Sequence, residues 1–579
     1  MKLKNLRNEM KKNNISAYII PTLDPHSSDE YLCDYYKERE YITGFTGSNG
    51  IALVTDDDAF MWTDGRYFLQ ADKQLKDSGF KLMKMATEGY PSLNEWVKDN
   101  LSSNDKIGIN GKYFTQKAYE DLKSYTDAEI VDIDLIKNIW ENRPSLPQDK
   151  AFIHDIKYCG VSTDKKLEDV RKILKEKDCE YLLLTSLEDV AWLFNIRGND
   201  IKHTPVVFSY GIIGLQDAKI YIENYKLTEE VKKYLEKFAK ICPYEDIYEE
   251  VKALNGKVSL NIENTNCKLF NSIKDKICDD GIVKNLRLIK NEIELDNTRK
   301  SHIRDGVYLT KFIYYIKHLD NLENLTEFDA ANILHDIRAK DELFFDESFE
   351  TIAGYKENGA IIHYAPTKEE SKKLSKSSFL LVDSGAQYLD GTTDVTRTIA
   401  LGDLTYDEKK DFTLVLKSYL ALHDAKFLKN TPSSSLDMLS RYPLWLEREN
   451  FNHSTGHGVG FFLGVHEVPP LIGMRNFNPI SLHTIVSNEP GIYKAGKYGI
   501  RTENLMIVVE DIKTEENTFY KFETITYAPF EINAILPELL TKREKLILNE
   551  YNKKVYELLN EYLTEEEREW LKEVTKPLD

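Results

Sequence analysis

The chain has 579 residues, too many for a single hydrophobic core, and this length predicts roughly three or four domains. Its net charge of −19 disfavours nucleic acid and anionic membranes as partners, because both are polyanions. The N-terminal residues lack the apolar centre of a signal peptide, and no run of about 18 apolar residues occurs, so we expect a cytoplasmic protein without a membrane span.

The first predicted domain covers residues 1–148. It begins with a short amphipathic helix at 3–13, and apolar, β-prone runs at 17–21, 50–55 and 60–62 predict strands. Two prolines and few apolar residues mark 143–149 as a linker that ends this domain.

The second predicted domain covers residues 149–288. A helical period at 167–174 lies between β-prone segments, and strands are predicted at 180–185 and 219–222. Because strands alternate with helices in both of these segments, each is predicted to be an α/β domain.

The third predicted domain covers residues 289–579 and has an α+β pattern. It opens with a charged amphipathic helix at 291–304 and becomes rich in strands beyond Ser378. Short apolar runs at 379–382 and 485–487 end at candidate acidic ligands, and the chain turns helical again from Leu536. Carboxylates at strand ends are held more rigidly than carboxylates on loops.

Carboxylates and histidines recur in short motifs within this third segment. Together they offer two Asp, two Glu and one His suited to binding a metal, without a thiolate, which is the ligand set of a dinuclear site for divalent ions. The motifs are Asp383-Ser-Gly, Thr393-Asp394-Val-Thr-Arg397, His453-Ser-Thr-Gly-His457-Gly, Asn488-Glu489-Pro-Gly and Arg501-Thr-Glu503-Asn.

The spacing of these motifs predicts how the ligands meet. Asp390-Gly391 lies between Asp383 and Asp394 and is a strong hairpin signal, so we expect two adjacent strands to bring both carboxylates together. The glycines around His457 argue against a helix and for a close approach of the main chain to a neighbour. Arg501 is expected to pair with a carboxylate through its guanidinium fork.

The chain closely resembles the pita-bread metallopeptidase family, and within it the long, three-domain Xaa-Pro aminopeptidases. The resemblance covers nearly the whole chain. It is carried by the metal motifs together with residues 62–70, 192–198, 361–366, 465–467 and 569–571. It implies two creatinase-like α/β domains followed by a pita-bread catalytic domain with a helical C-terminal extension.

The resemblance also implies roles for individual residues. Two divalent ions, Mn²⁺ foremost and Zn²⁺ or Co²⁺ as alternatives, would be bound by Asp383, Asp394, His457, Glu489 and Glu503. Glu489 would accept a proton from the metal-bridging water, assisted by His363, His453 and His466. The substrate would be bound by His363, His466, Arg501 and Tyr493, with Ile362 and Val465 beside the proline ring. A homodimer is implied as well.

The implied reaction is release of the N-terminal residue from peptides with proline at the second position, by attack of a metal-bridging hydroxide on the Xaa-Pro carbonyl. A prolidase restricted to Xaa-Pro dipeptides is one alternative, and the additional N-terminal domain argues against it. A metal-free module that binds peptides or proteins is the other, and the complete set of five ligand-type residues argues against it.

Three positions depart from the family pattern, namely Asn488, Ser454 and Thr502. None is an expected metal ligand. They bear on the pH optimum and the metal preference and not on the class of reaction.

Overall fold

The computed structural model describes residues 1–28 and 30–579. They form two compact units, of which the first comprises Met1–Ile156 with Val161–Arg287 and the second comprises Lys157–Gly160 with Leu288–Asp579. Among the described residues, none of the helices combines the length and the apolar character needed to span a membrane.

The N-terminal half of the first unit is a mixed sheet covered by helices. The helices are α1 (Lys2–Lys12), α2 (Glu38–Thr43), α3 (Phe68–Gln74), α4 (Leu93–Asn100) and α5 (Gln116–Lys123). The strands are β1 (Ala17–Pro21), β2 (Ile51–Thr55), β3 (Ala59–Thr63), β4 (Lys81–Lys84), β5 (Lys106–Ile109) and β6 (Glu129–Asp132). Their order in the sheet is β4-β3-β2-β1-β5-β6.

The following part of the chain builds a second sheet. The strands of this part of the chain are β7 (Phe152–Ile153), β8 (Tyr181–Leu184), β9 (Ile196–Arg197), β10 (Ser209–Gly214), β11 (Ala218–Ile222), β12 (Lys240–Cys242), β13 (Val258–Leu260) and β14 (Lys276–Cys278). Of these, β7 and β9 pair with each other outside the six-stranded sheet. The helices are α6 (Ile156–Cys159), α7 (Thr163–Glu176), α8 (Leu187–Leu193), α9 (Glu229–Leu235), α10 (Ile247–Ala253), α11 (Cys267–Ser272) and α12 (Ile282–Leu288).

The two sheets share one topology. The second has the order β12-β11-β10-β8-β13-β14, and its central strand β8 is antiparallel to β10 and parallel to β13. Strand β1 of the first sheet is likewise antiparallel to β2 and parallel to β5. The expectation of two α/β domains is confirmed, and their common topology identifies them as structural repeats.

The second unit combines helices with several antiparallel sheets. The helices are α13 (Glu292–His318), α14 (Glu327–Arg338), α15 (Tyr406–His423), α16 (Ser433–Leu446), α17 (Lys542–Leu559) and α18 (Glu565–Val574). The strands are β15 (Phe344–Glu347), β16 (Ile352–Tyr355), β17 (Phe379–Ser384), β18 (Ala386–Tyr388), β19 (Gly391–Thr392), β20 (Val395–Ala400), β21 (Lys426–Leu428), β22 (Gly456–Gly458), β23 (Glu467–Ile472), β24 (Ile485–Asn488), β25 (Gly491–Lys494), β26 (Tyr498–Arg501), β27 (Asn504–Lys513) and β28 (Thr518–Thr524).

Two of these sheets position the acidic motifs. One is the three-stranded sheet β16-β17-β20, and the other is the six-stranded sheet β21-β28-β27-β24-β22-β23. Helices α15, α17 and α18 pack with α13 around a core that contains Leu416, Leu548 and Leu571. Leu571 is fully buried there, and Trp570 contacts Tyr314 edge to face, so this pair at the C-terminus serves intramolecular packing.

The sequence missed several elements of this unit. Helix α13 continues to His318, well beyond the predicted end at Arg304. Helices α15 and α16 interrupt the stretch beyond Ser378 that is predicted to be rich in strands. Helix α15 is buried on most of its surface, which removes the amphipathic period, and α16 contains Pro443.

Candidate metal centre

The first pair of acidic residues is delivered by a β-hairpin. Strands β17 and β20 are antiparallel, with Asp383 opposite Thr396 and Ser384 opposite Val395. Asp394 directly precedes β20, so both carboxylates reach the same end of the strand pair. The hairpin predicted from Asp390-Gly391 is confirmed by the short β18–β19 pair, in which Tyr388 lies opposite Gly391.

The second pair comes from the larger sheet. Strands β24 and β27 are antiparallel with Asn488 opposite Asn504, which places Glu489 after the end of one strand across from Glu503 before the start of the other. The main-chain N–H of Glu503 donates to the carbonyl oxygen of Thr396 (3.3 Å) and joins this pair to the first.

His457 lies in β22, next to β24, in a segment that leaves no room for a side chain at its glycines. A Cβ on Gly456 would lie 1.9 Å from the carbonyl oxygen of Ser487, and one on Gly458 would lie 2.2 Å from that of Glu467. The predicted close approach of the main chain is therefore confirmed.

The orientation of the His457 ring suits a metal ligand. Its Nδ1 donates to the carbonyl oxygen of Gly458 (2.8 Å), which leaves the lone pair on Nε2. This Nε2 lies 3.4 Å from a carboxylate oxygen of Asp394 and 3.4 Å from one of Glu489. Asp394, His457 and Glu503 each offer a ligand atom, and these atoms lie within 4.8 Å of one another.

Arg501 binds Asp383 in a way that leaves one carboxylate oxygen available. Both its Nε (3.1 Å) and its Nη2 (2.6 Å) donate to Oδ2 of Asp383. Oδ1 of Asp383 is buried and has no hydrogen-bond partner. The expected ion pair is present, but both nitrogens share one oxygen in place of the two-oxygen fork, and the orphaned oxygen suits a cation.

Burial raises the pKa of three carboxyl groups in the cluster. The pKa of Glu489 rises to about 7, and that of Glu503 lies well above its ordinary value, with Asp394 as a further cause in both. Burial also raises the pKa of Asp383, against the opposing effect of Arg501. Buried carboxylates at such distances are costly without cations, so the donor set fits two divalent ions.

Hydrogen bonds also order the groups around the cluster. Ser487 Oγ donates to Glu489 (3.1 Å), and Thr396 Oγ1 donates to Glu503 (2.7 Å). Sequence reasoning did not single out Thr396 or Ser487 as site residues. Each lies on a strand, two positions from a predicted ligand at the strand end, and this alternation is the signal that could have indicated them.

His453 is connected to Arg501 through Tyr493. The Tyr493 hydroxyl accepts from Arg501 Nη1 (2.7 Å) and lies 2.8 Å from His453 Nε2. His453 Nδ1 bonds the carbonyl oxygen of Ser454 (2.7 Å), so Nε2 is the acceptor from the hydroxyl in the neutral ring. Burial, followed by the charge of Arg501, holds the pKa of His453 well below its ordinary value.

The remaining predicted residues line the same region. His466 contacts His457 edge to face, with ring centroids 4.4 Å apart. His363 is half-buried and follows Ile362, whose carbonyl oxygen accepts from Arg501 Nη2 (3.3 Å). Ile362 and Val465 are both buried. The predicted residues are thus gathered around one centre, and their individual roles stay predictions.

Comparisons with known proteins agree with this architecture. Creatinase/Prolidase N-terminal domain models match residues 2–139 and 142–294, the Metallopeptidase family M24 model matches 296–510, and a model of the C-terminal region of this peptidase matches 518–578. A relative from Pyrenophora teres f. teres, named "Probable Xaa-Pro aminopeptidase P", is 38% identical and is aligned over 100% of this chain and 92% of its own. One from Paracoccidioides brasiliensis with the same name is also 38% identical, over 100% and 99%.

Solved structures show the same relationship. The X-prolyl aminopeptidase of Caenorhabditis elegans, described as a cytosolic enzyme with a dinuclear active site, matches with a TM-score of 0.95 and 32% identity over 100% of both chains. An Xaa-Pro dipeptidase from Bacillus anthracis has a TM-score of 0.52 at 23% identity, covers 64% of this chain and 99% of its own, and shares the fold.

The fold and the centre define a metallopeptidase. In the chain, two creatinase-like domains are followed by a pita-bread catalytic domain. Within that class, the chain belongs to the Xaa-Pro aminopeptidase P group of metallopeptidase family M24.

Proposed function

We propose that this protein is a metal-dependent aminopeptidase that releases the N-terminal residue from peptides with proline at the second position. The observation that carries the proposal is the buried group of Asp394, His457 and Glu503, together with the unpartnered oxygen on Asp383. Family membership supports the substrate class, because the fungal and nematode relatives are named for Xaa-Pro substrates.

The residues proposed to hold two divalent ions are Asp383, Asp394, His457, Glu489 and Glu503. When bound, such ions polarise a carbonyl oxygen and lower the pKa of water. Four carboxylates and one imidazole favour a hard or borderline ion, and Mn²⁺ is the proposed one.

Side chains of the protein would carry out the proton transfers. Glu489, a carboxylate beside the proposed ions, is the residue proposed to accept a proton. A bond before proline is a tertiary amide that offers no N–H for recognition, and its nitrogen must still be protonated on leaving, as in any peptide bond. His363, His453 and His466 are proposed to assist this transfer and to orient the substrate, whose trans isomer is the abundant one.

The decisive experiment is hydrolysis of Arg-Pro-Pro by metal-stripped protein, with and without added Mn²⁺, beside an Asp394→Ala variant. We expect release of the first residue that depends on Mn²⁺ and is absent in the variant. No release with Mn²⁺, Co²⁺ or Zn²⁺ would refute the proposal. Turnover of dipeptides but not of Arg-Pro-Pro would identify a prolidase.

We further propose a cytoplasmic location, in line with the nematode enzyme, a homodimer, and domain boundaries at 1–148, 149–288 and 289–579. The matched ranges of the family models support boundaries close to these positions.

A further inference from the structure

The buried face of helix α16 carries an ion pair close to the proposed site. Arg441 Nε donates to Asp437 Oδ2 at 2.7 Å, one helical turn away. The side chains are 3% and 0% exposed. A pair buried to this degree is costly unless its remaining hydrogen-bonding groups are satisfied. The hydrogen-bond partners of the remaining atoms of Arg441 and Asp437 therefore indicate the role of the ion pair.

Arg441 directs its other nitrogens at the segment that precedes the metal motif. Nη1 donates to the carbonyl oxygen of Phe451 (2.7 Å) and to the side chain of Asn450 (3.0 Å). Nη2 donates to the carbonyl oxygen of His453 (2.7 Å). The guanidinium also stacks 4.0 Å above the Phe451 ring. A single side chain thus holds the main chain on both sides of Asn452.

Asp437 holds the same segment two residues further on. Its Oδ1 accepts from the hydroxyl of Thr455 (2.7 Å). The carbonyl oxygen of Thr455 in turn accepts from the main-chain N–H of Glu489 (2.8 Å). Thr455 also lies two residues before His457. The ion pair is therefore bonded to the chain before and after the His453 side chain.

We propose that Asp437 and Arg441 are positioning residues for the aminopeptidase reaction, which act by fixing the main chain of 450–455 and thereby the His453 ring on the Tyr493 hydroxyl. The proposal rests on the function proposed above. Neither residue contacts the carboxylate cluster directly in the described structure, and the proposal assigns their effect on the rate to His453, not to the bond from Thr455 to Glu489. A purely structural role in packing α16 makes a different prediction, because it would affect catalysis independently of His453.

A double-mutant cycle separates the two roles. Arg441→Met and His453→Ala are made singly and together, and kcat/KM for Arg-Pro-Pro is measured on the Mn²⁺-loaded full chain. Arg441→Met should lower kcat/KM by about 10- to 100-fold, the usual effect of losing a supporting group. In the His453→Ala background, the further loss should be less than about twofold.

The matched control is Arg338→Met. Arg338 also forms a buried pair, with Asp305 (2.7 and 2.9 Å), but on helices α13 and α14. Its loss should change kcat/KM by the same factor with and without His453. If Arg441→Met behaves like this control, the positioning proposal is wrong.

A milder variant guards against failure to fold. Thr455→Val removes only the hydroxyl that bonds Asp437, and buried Thr413→Val on α15 is its control. Thr455→Val should show the same dependence on His453 as Arg441→Met, and Thr413→Val should not. If Thr455→Val lowers kcat/KM in the His453→Ala background by the same factor as in the wild type, the proposal is overturned.

Hydrogen exchange supplies a readout that does not require activity. Arg441→Met and Thr455→Val should accelerate exchange of the amides in 450–458, whereas Arg338→Met should not. Unchanged exchange in both variants would refute the positioning proposal whatever the enzyme cleaves. An inactive wild-type protein with accelerated exchange in the variants would refute the proposed function, and with it the role in the reaction, while showing that the ion pair fixes residues 450–455.

Discussion

At the scale of single residues, Arg501 connects most of the proposed site. Its guanidinium bonds Asp383, the Tyr493 hydroxyl and the carbonyl oxygen of Ile362, and so touches a proposed ligand, the link to His453 and the segment of His363. A lysine would keep the positive charge but could not reach three partners in fixed directions. Geometry, more than charge, is therefore what Arg501 supplies.

Arg501→Lys should lower kcat/KM for Arg-Pro-Pro by about 10- to 100-fold while two metal ions per chain remain bound. Metal analysis and steady-state kinetics on the same preparation measure both quantities. The control is Arg299→Lys, since Arg299 pairs with both oxygens of Glu523 (2.8 and 2.8 Å) at one-third exposure. A decrease in kcat/KM of less than about twofold for Arg501→Lys would show that the fixed geometry of Arg501 is not required.

At the scale of secondary-structure elements, strand pairing sets where the ligands lie. Strand β22 can approach β24 only because Gly456 has no Cβ, and this approach brings His457 to Glu489. The obstructing atom is a main-chain oxygen, which cannot rotate away. The position therefore tests whether the packing of these strands governs the site.

Gly456→Ala should destabilise the fold by about 1–3 kcal/mol through overpacking and should weaken metal binding. Urea unfolding and metal titration measure these effects. Gly473→Ala is the control, because its added Cβ would meet only side-chain atoms, of which the nearest, Ser454 Oγ at 3.2 Å, can move. Equal metal affinity in the wild type and Gly456→Ala would show that the strand spacing is not critical.

Helix α15 ends with a partly buried histidine that should make stability depend on pH. Burial lowers the pKa of His423 to about 4, while its Nδ1 bonds Thr524 Oγ1 (2.7 Å). Between the ordinary pKa near 6.5 and the folded value, the unfolded chain binds a proton that the folded chain does not. The free energy of unfolding therefore decreases as pH falls through this window.

His423→Gln should remove this component of the pH dependence, which amounts to at most roughly 3 kcal/mol. The measurement is the difference in unfolding free energy between variant and wild type from pH 7 to pH 4. The exposed residue His318 supplies the control, as His318→Gln. A constant difference between wild type and His423→Gln across this range would show that His423 does not titrate as expected.

At the scale of the whole molecule, the structure separates a catalytic unit from a unit made of two repeats. The four carboxylates, His457 and the positioning pair all belong to the catalytic unit. The repeats contribute two sheets of one topology, and the described structure assigns them no part of the metal centre.

The proposed homodimer predicts a solution mass about twice the chain mass of 67.1 kDa. Light scattering coupled to size-exclusion chromatography, over a tenfold range of protein concentration with Mn²⁺ present, measures this mass directly. A species of 67.1 kDa throughout that range would contradict the dimer.

Local sequence patterns predicted the acidic residues proposed as ligands, the strands that end beside Asp383 and Glu489, and the hairpin at Asp390-Gly391. These features are local, since apolar runs and a turn dipeptide act within a few residues. The helices α15 and α16 were not found, because burial on most sides of α15 hides its period and Pro443 disfavours a helix at α16.

Three further features depend on long-range packing and cannot be predicted from local patterns. Contacts between residues distant in the chain bring the two carboxylate pairs together, leave one oxygen of Asp383 without a partner, and direct Asp437 and Arg441 at the His453 segment. The shared topology of the two N-terminal sheets also cannot be predicted from local patterns, because sheet topology depends on which strands pair and does not require similar residues. Local propensity specifies elements, whereas packing over long separations specifies the site.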